Sequence, residues 1–181
     1  MTREVWLQPN RRLLLVGIVG VLTACFGFWG AVIFAAFTQR PLIAGLLALP
    51  ALGLLWGLGS LIYAYYRPVI AYEPGELLVY FKTGAAHRLP IDIVECFFLG
   101  QGPSFLPPVN GKETDTQNII IRLAEAAEDW KHRDLPADEA HWCESYITLR
   151  GAWCEPITKE RLLALNRRLV EVQREHKAGG R

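Results

Sequence analysis

LLLVGIVGVLTACFGFWGAVIFAAFTQ, residues 13–39, and PLIAGLLALPALGLLWGLGSLIYAYY, residues 41–66, contain no charged side chain, and only Arg40 divides them. A bilayer core about 30 Å thick is crossed by roughly 20 apolar helical residues. The two stretches are 27 and 26 residues long, so each predicts a span, at 13–38 and 42–66. Together, over 13–66, they predict a transmembrane hairpin with almost no loop at its tip. A cleaved signal peptide has an apolar region of about 7–15 residues. The first stretch exceeds that and a second follows at once, so it reads as an anchor.

Arginine placement gives the orientation. Arg3, Arg11 and Arg12 precede the first span, Arg67 follows the second, and Arg40 stands alone at the other end. By the positive-inside rule both termini are expected in the cytoplasm of a cell with an inner membrane, with residues 1–12 as a short tail. Trp6, Tyr63, Tyr65 and Tyr66, beside Arg67, are expected at the membrane interface, where amphipathic rings collect. Gly27, Ala31 and Ala35 recur every four residues in the first span, and Gly53 and Gly57 do so in the second. Such rows let helix backbones approach closely, against each other or against another subunit. Pro50 is expected to kink the second span.

Beyond the spans the composition is that of an ordinary folded domain. From Arg67 onward there are 15 Lys/Arg and 17 Asp/Glu. A net negative domain without a dense basic run is unsuited to phosphate neutralisation, so no nucleic-acid partner is expected. Cys96, Cys143 and Cys154 fall in this cytoplasmic part and Cys25 in the first span; all four are expected as thiols. Only Arg67, with no Gly- or Ser-rich linker, separates the tyrosines at 63–66 from Pro68, which predicts a domain held close to the membrane face.

The period then changes from helical to strand-like. Pro68–Tyr72, Leu77–Lys82, Ala86–Leu89 and Ile91–Leu99 are short apolar runs separated by turn residues, the first turn being Glu73-Pro74-Gly75-Glu76. Gly100–Thr116 reads as loop, Gln117–Leu123 as an alternating strand, and Glu144–Arg150 as another. Ala124–Trp142 is polar, acidic and without clear period. Thr158 is placed to cap a final helix, with Glu160 in its first turn. Its core stripe is Leu162, Leu165, Leu169 and Val172, widened by Leu163 and Val170. Arg167, Arg168, Glu171 and Arg174 take the wet side, with Arg167 and Glu171 spaced as an i,i+4 pair.

Tyr72–Lys82 with its turn at Gly84, RLPIDIVECFFLGQGP at 88–103, and YITLRG at 146–151 running into a terminal helix form a familiar order of parts. Over roughly Arg67–Gln173 the chain resembles the bacterial membrane proteins that carry a pleckstrin-homology-like domain. The resemblance implies an α+β membrane protein: a two-helix hairpin, then an antiparallel barrel or bent sheet over 67–175 with a C-terminal amphipathic helix plugging one end. Residues 176–181 are left as a tail.

No phosphate loop, nucleophile elbow or H-E-x-x-H is present, so no catalytic residue is assigned and no cofactor is expected. His141, Cys143 and Cys154 are the candidates for a metal or redox role, with His132 nearby in sequence; zinc takes such ligands, although the short paired spacing of structural sites is missing. Trp130, Trp142 and Trp153 are candidate partner-binding anchors, because Trp is enriched at binding hot spots; core roles are the alternative. Lys82, His87 and Arg88 are the cations available for lipid headgroups, set against Glu73 and Glu76. The function expected is a non-enzymatic, membrane-anchored interaction module, an accessory subunit or assembly factor of an inner-membrane complex. Its expected partners are the lipid bilayer and other membrane subunits, with homo-oligomerisation left open. Headgroup sensing and metal or redox accessory roles are the alternatives.

Overall fold

The computed structural model of the chain describes residues 3–81, 84–103, 115–131 and 140–179. Two compact units emerge, and they are not successive in sequence. One is Arg11–Arg67; the other joins Met1–Asn10 to Pro68–Arg181.

The first unit is a helix pair, α1 (Arg11–Phe37) and α2 (Pro41–Tyr66). Between them the chain reverses at Gln39, whose φ is 55°. Thr38 donates its hydroxyl to the Phe34 carbonyl at 3.0 Å, closing α1. Pro41 opens α2, where a missing N–H goes unnoticed. Both helices are long and apolar enough to cross a membrane, and only 6% of each apolar window is buried inside the protein. The core helix of a water-soluble fold is wrapped by its neighbours. Here Phe26, Phe34, Phe37, Leu42 and Trp56 are all exposed, the condition of a helix that is apolar all round.

The second unit holds two antiparallel sheets and a helix. Strands β1 (Glu4–Leu7), β2 (Ile70–Glu73), β3 (Glu76–Val79) and β4 (His87–Pro90) form one sheet in that order. The other contains β5 (Val94–Pro103), β6 (Asp115–Leu123), β7 (Ala140–Cys143) and β8 (Tyr146–Leu149), ordered β5-β6-β8-β7. Helix α3 (Lys159–Gly179) follows. The sheets are not closed into a barrel. A single core draws on both sheets and on Leu165, Leu169 and Val172 of α3. Each of those side chains contributes about 1.5–3 kcal/mol when fully buried.

Four local outcomes differ from the sequence reading. Residues 1–12 are not simply a tail: Glu4–Leu7 pairs with β2, Glu4 opposite Tyr72 and Leu7 opposite Ile70, and α1 starts at Arg11. Gly100 and Gly102 lie in β5 rather than a loop, because the strand needs close approach there. A Cβ on Gly100 would stand 2.7 Å from Ile120 Cδ1, and one on Gly102 2.8 Å from Asn118 Nδ2. Within 124–142, β7 emerges and turns into β8 through Glu144 and Ser145, with φ of 50° and 66°. A two-residue hairpin turn needs that left-handed pair, which Gly and Asn ordinarily supply. Finally, Leu163 and Val170 do not widen the core stripe of α3; they are exposed, at 64% and 44%.

Candidate functional site

The tryptophans separate by role. Trp142 points inward from β7, 1% exposed, and donates its indole N–H to the Trp130 carbonyl at 2.8 Å. Trp130 stacks on it with ring centres 6.1 Å apart. His87 meets the same indole edge-on at 6.0 Å and Phe81 at 4.8 Å, so β4 and β7 are joined by a row of rings. Trp142 is therefore core, and Trp130 its half-buried cover. Trp153 stands apart, half-buried in a single helical turn after β8. Its carbonyl accepts the Asn10 N–H at 2.9 Å. The three do not form one exposed anchor.

Trp6, expected at the membrane interface, is 4% exposed inside the folded unit, stacked on Tyr72 at 5.5 Å and edge-on to Phe97 at 6.3 Å. The other residues expected there belong to the helix pair. Tyr63 and Tyr66 are exposed, the Arg67 guanidinium lies over the Tyr63 ring at 5.6 Å, and that of Arg11 over Tyr65 at 5.3 Å. The start of α1 and the end of α2 thus share one collar of tyrosine and arginine.

The small-residue rows also divide. Ala35 is buried, whereas Gly27, Ala31 and Gly53 are exposed. A Cβ built on Gly27, Gly53 or Gly57 would meet nothing within 4 Å. The close approach between α1 and α2 is made elsewhere, for instance where Gly17 faces Leu61.

His141 and Cys143 share the outer face of β7, while Cys154 is 2% exposed in the core. Burial pushes its thiol up to about 12, and Sγ donates to the Arg150 carbonyl at 3.3 Å. Among the described residues no three His, Cys, Asp or Glu side chains converge to hold a metal. His132 lies outside the described residues, as does Lys82. Arg88 is exposed, and its charge is already shared with Glu76 at 2.6 Å and Glu73 at 3.5 Å. Those two carboxylates raise its proton affinity and occupy the group a headgroup would seek.

Helix α3 carries a different arrangement. On one flank Arg168 grips Glu4 of β1 through Nη2 at 2.9 Å, and also Glu171 at 3.1 Å and Glu175 at 3.3 Å. The expected Arg167–Glu171 pair is not made; Glu171 turns to Arg168. On the outward side, Leu163, Arg167, Val170 and Arg174 follow one another by four, three and four residues, all exposed. Leu163 and Val170 thus join Arg167 and Arg174 on the wet side, where the spacing places only the two arginines. Comparison with protein-family models, with curated proteins and with solved structures finds no match to the chain.

Proposed function

We propose that the chain is a non-enzymatic, membrane-anchored interaction module, an accessory subunit or assembly factor of a complex in a bacterial inner membrane, with both termini cytoplasmic. One observation carries this reading. The helix pair leaves Gly27, Ala31 and Gly53 on its outside, with open space where a Cβ would stand at either glycine. Apolar surface alone gives spans no reason to associate in lipid, whereas small residues let another backbone come close. Arg3, Arg11, Arg12 and Arg67 support the orientation. The order of two antiparallel sheets and a terminal helix supports a pleckstrin-homology-like assignment for the folded unit.

Purification from native membranes in mild detergent tests the role. A membrane protein is expected to co-purify in fixed stoichiometry, and Gly27→Leu with Gly53→Leu is expected to weaken that association at least tenfold. A strictly monomeric species with no stoichiometric companion overturns the reading.

A further inference from the structure

Helix α3 has its apolar stripe in the core and yet exposes Leu163 and Val170, seven residues apart, on its far side. Arg167 stands between them and Arg174 beyond, in the four-three-four spacing that keeps side chains along one seam of a helix. Lys159 and Lys177 stand at the two ends of the same face, both exposed. None of these four cations is ion-paired among the described residues. The acids of the helix are engaged elsewhere: Glu171 and Glu175 turn to Arg168. Glu160 is held at the N-terminus by its backbone N–H and by the Thr158 hydroxyl, which lower its pKa. The outward seam is thus apolar at every second position, cationic at the others, and free of competing carboxylates along its centre.

We propose that this face of α3 docks a second helix, supplied by a partner protein, with Leu or Val at seven-residue spacing and Asp or Glu between them. The proposal rests on the interaction role above and names the chemistry of the partner. Apolar knobs would meet Leu163 and Val170, and carboxylates would meet Arg167 and Arg174, whose planar guanidinium groups pair with them bidentately. A second copy of this chain does not suit the seam, since it would set four cations against four. An anionic bilayer suits it less well. A helix lying in a membrane surface presents a continuous apolar face with cations at its borders. Here Arg167 stands in the middle of the apolar pair.

The test uses the full chain in phosphatidylcholine nanodiscs and a synthetic helical peptide of about four heptads, with Leu and Glu alternating along its seam. Fluorescence anisotropy is expected to show binding that weakens at least tenfold in Arg167→Glu/Arg174→Glu and in Leu163→Ala/Val170→Ala. A peptide with Lys in place of Glu is expected to bind the charge-reversed variant and not the native chain, an exchange that loss of folding cannot produce. No binding at about 100 μM peptide, or equal affinity across the variants, overturns the proposal. So does a fluorophore on Val170→Cys that becomes buried on changing to phosphatidylglycerol discs without peptide, which would assign the face to the bilayer. Dimers in sedimentation that Arg167→Glu/Arg174→Glu abolishes would assign it to a second copy and equally overturn it. Co-purification separates this outcome from the broader reading. A stoichiometric companion retained undiminished by the charge-reversed variant would leave the interaction role standing and remove α3 as its site.

Discussion

Cys154 and Gly151 belong to one bend after β8, and each shows how a single atom is constrained. The Cys154 thiol is buried, and desolvation holds it in the protonated form, with its pKa raised to about 12. The thiolate is the reactive species, so Cys154 is expected to resist maleimide at pH 8 in the native chain while half-buried Cys143 reacts. Mass spectrometry after timed labelling checks this, and rapid native labelling of Cys154 would contradict it. Gly151 donates its N–H to Asn118 Oδ1 at 2.9 Å. A Cβ there would stand 1.6 Å from the Gln117 carbonyl oxygen, and backbone on both sides has nowhere to go. Gly151→Ala is expected to destabilise the folded unit by about 3 kcal/mol, measured by chemical denaturation.

Edges decide the behaviour of the elements. β5 is an edge strand, and an open edge invites pairing with another chain. Asn166 of α3 covers it, accepting the Phe97 N–H at 2.8 Å and donating to the Phe97 carbonyl at 3.0 Å, as a neighbouring strand would. Gln173 does related work, donating to the Ile91 and Val94 carbonyls at 3.1 and 2.7 Å. Asn166→Leu is expected to cost about 2 kcal/mol and to speed hydrogen exchange at Phe97, with Asn166→Asp between the two because it keeps only the acceptor. β1 is fastened to α3 by Glu4 and Arg168, with Glu171 and Glu175 as competing acids on Arg168. The hydrogen bond from Arg168 lowers the Glu4 pKa below its ordinary 4.5. This pair therefore contributes stability above pH 4.5 that is lost as pH falls through the lowered value. Glu4→Gln is expected to flatten that part of the pH–stability curve; an unchanged acid limb would remove the pair from the account. Unbroken apolar length made α1 and α2 legible in the sequence, and strong periodicity did the same for β6 and α3. β1 was not, because four residues next to a long apolar helix carry no period, and their partner lies beyond both helices. β7 was hidden because Glu144 and Ser145 adopt a turn that their identities do not announce. For the candidate seam the spacing was visible, but which side of α3 met the core depended on where β5 lay.

At the scale of the molecule, the folded unit is interrupted rather than preceded by the apolar helices. Leu7 pairs with Ile70, and the Val69 N–H donates to the Leu7 carbonyl at 2.9 Å, so the helix pair fills the connection between two neighbouring strands. Gln8 and Asn10 are tied in as well. The Glu155 N–H donates to the Gln8 carbonyl at 3.0 Å, and the Asn10 N–H to that of Trp153 at 2.9 Å. A domain boundary at Arg67 would therefore leave out an essential strand. Trp6 and Leu7 are both buried, and losing a Trp side chain from a core costs about 3–5 kcal/mol, with Leu adding about 2–5. That sum is comparable to the whole stability of an ordinary domain, about 5–15 kcal/mol. A fragment starting at Pro68 is accordingly expected to be unfolded or molten, with weak near-ultraviolet dichroism. Replacing Arg11–Arg67 by a Gly/Ser linker of about six residues is expected to yield a folded, cooperative protein, since closing so short a loop costs little entropy. Equal stability of the two proteins would show that β1 is dispensable and that the unit begins at Pro68 after all. If only the linked form folds, the chain must complete its first sheet across the two apolar helices, and β1 can dock only after both have been made.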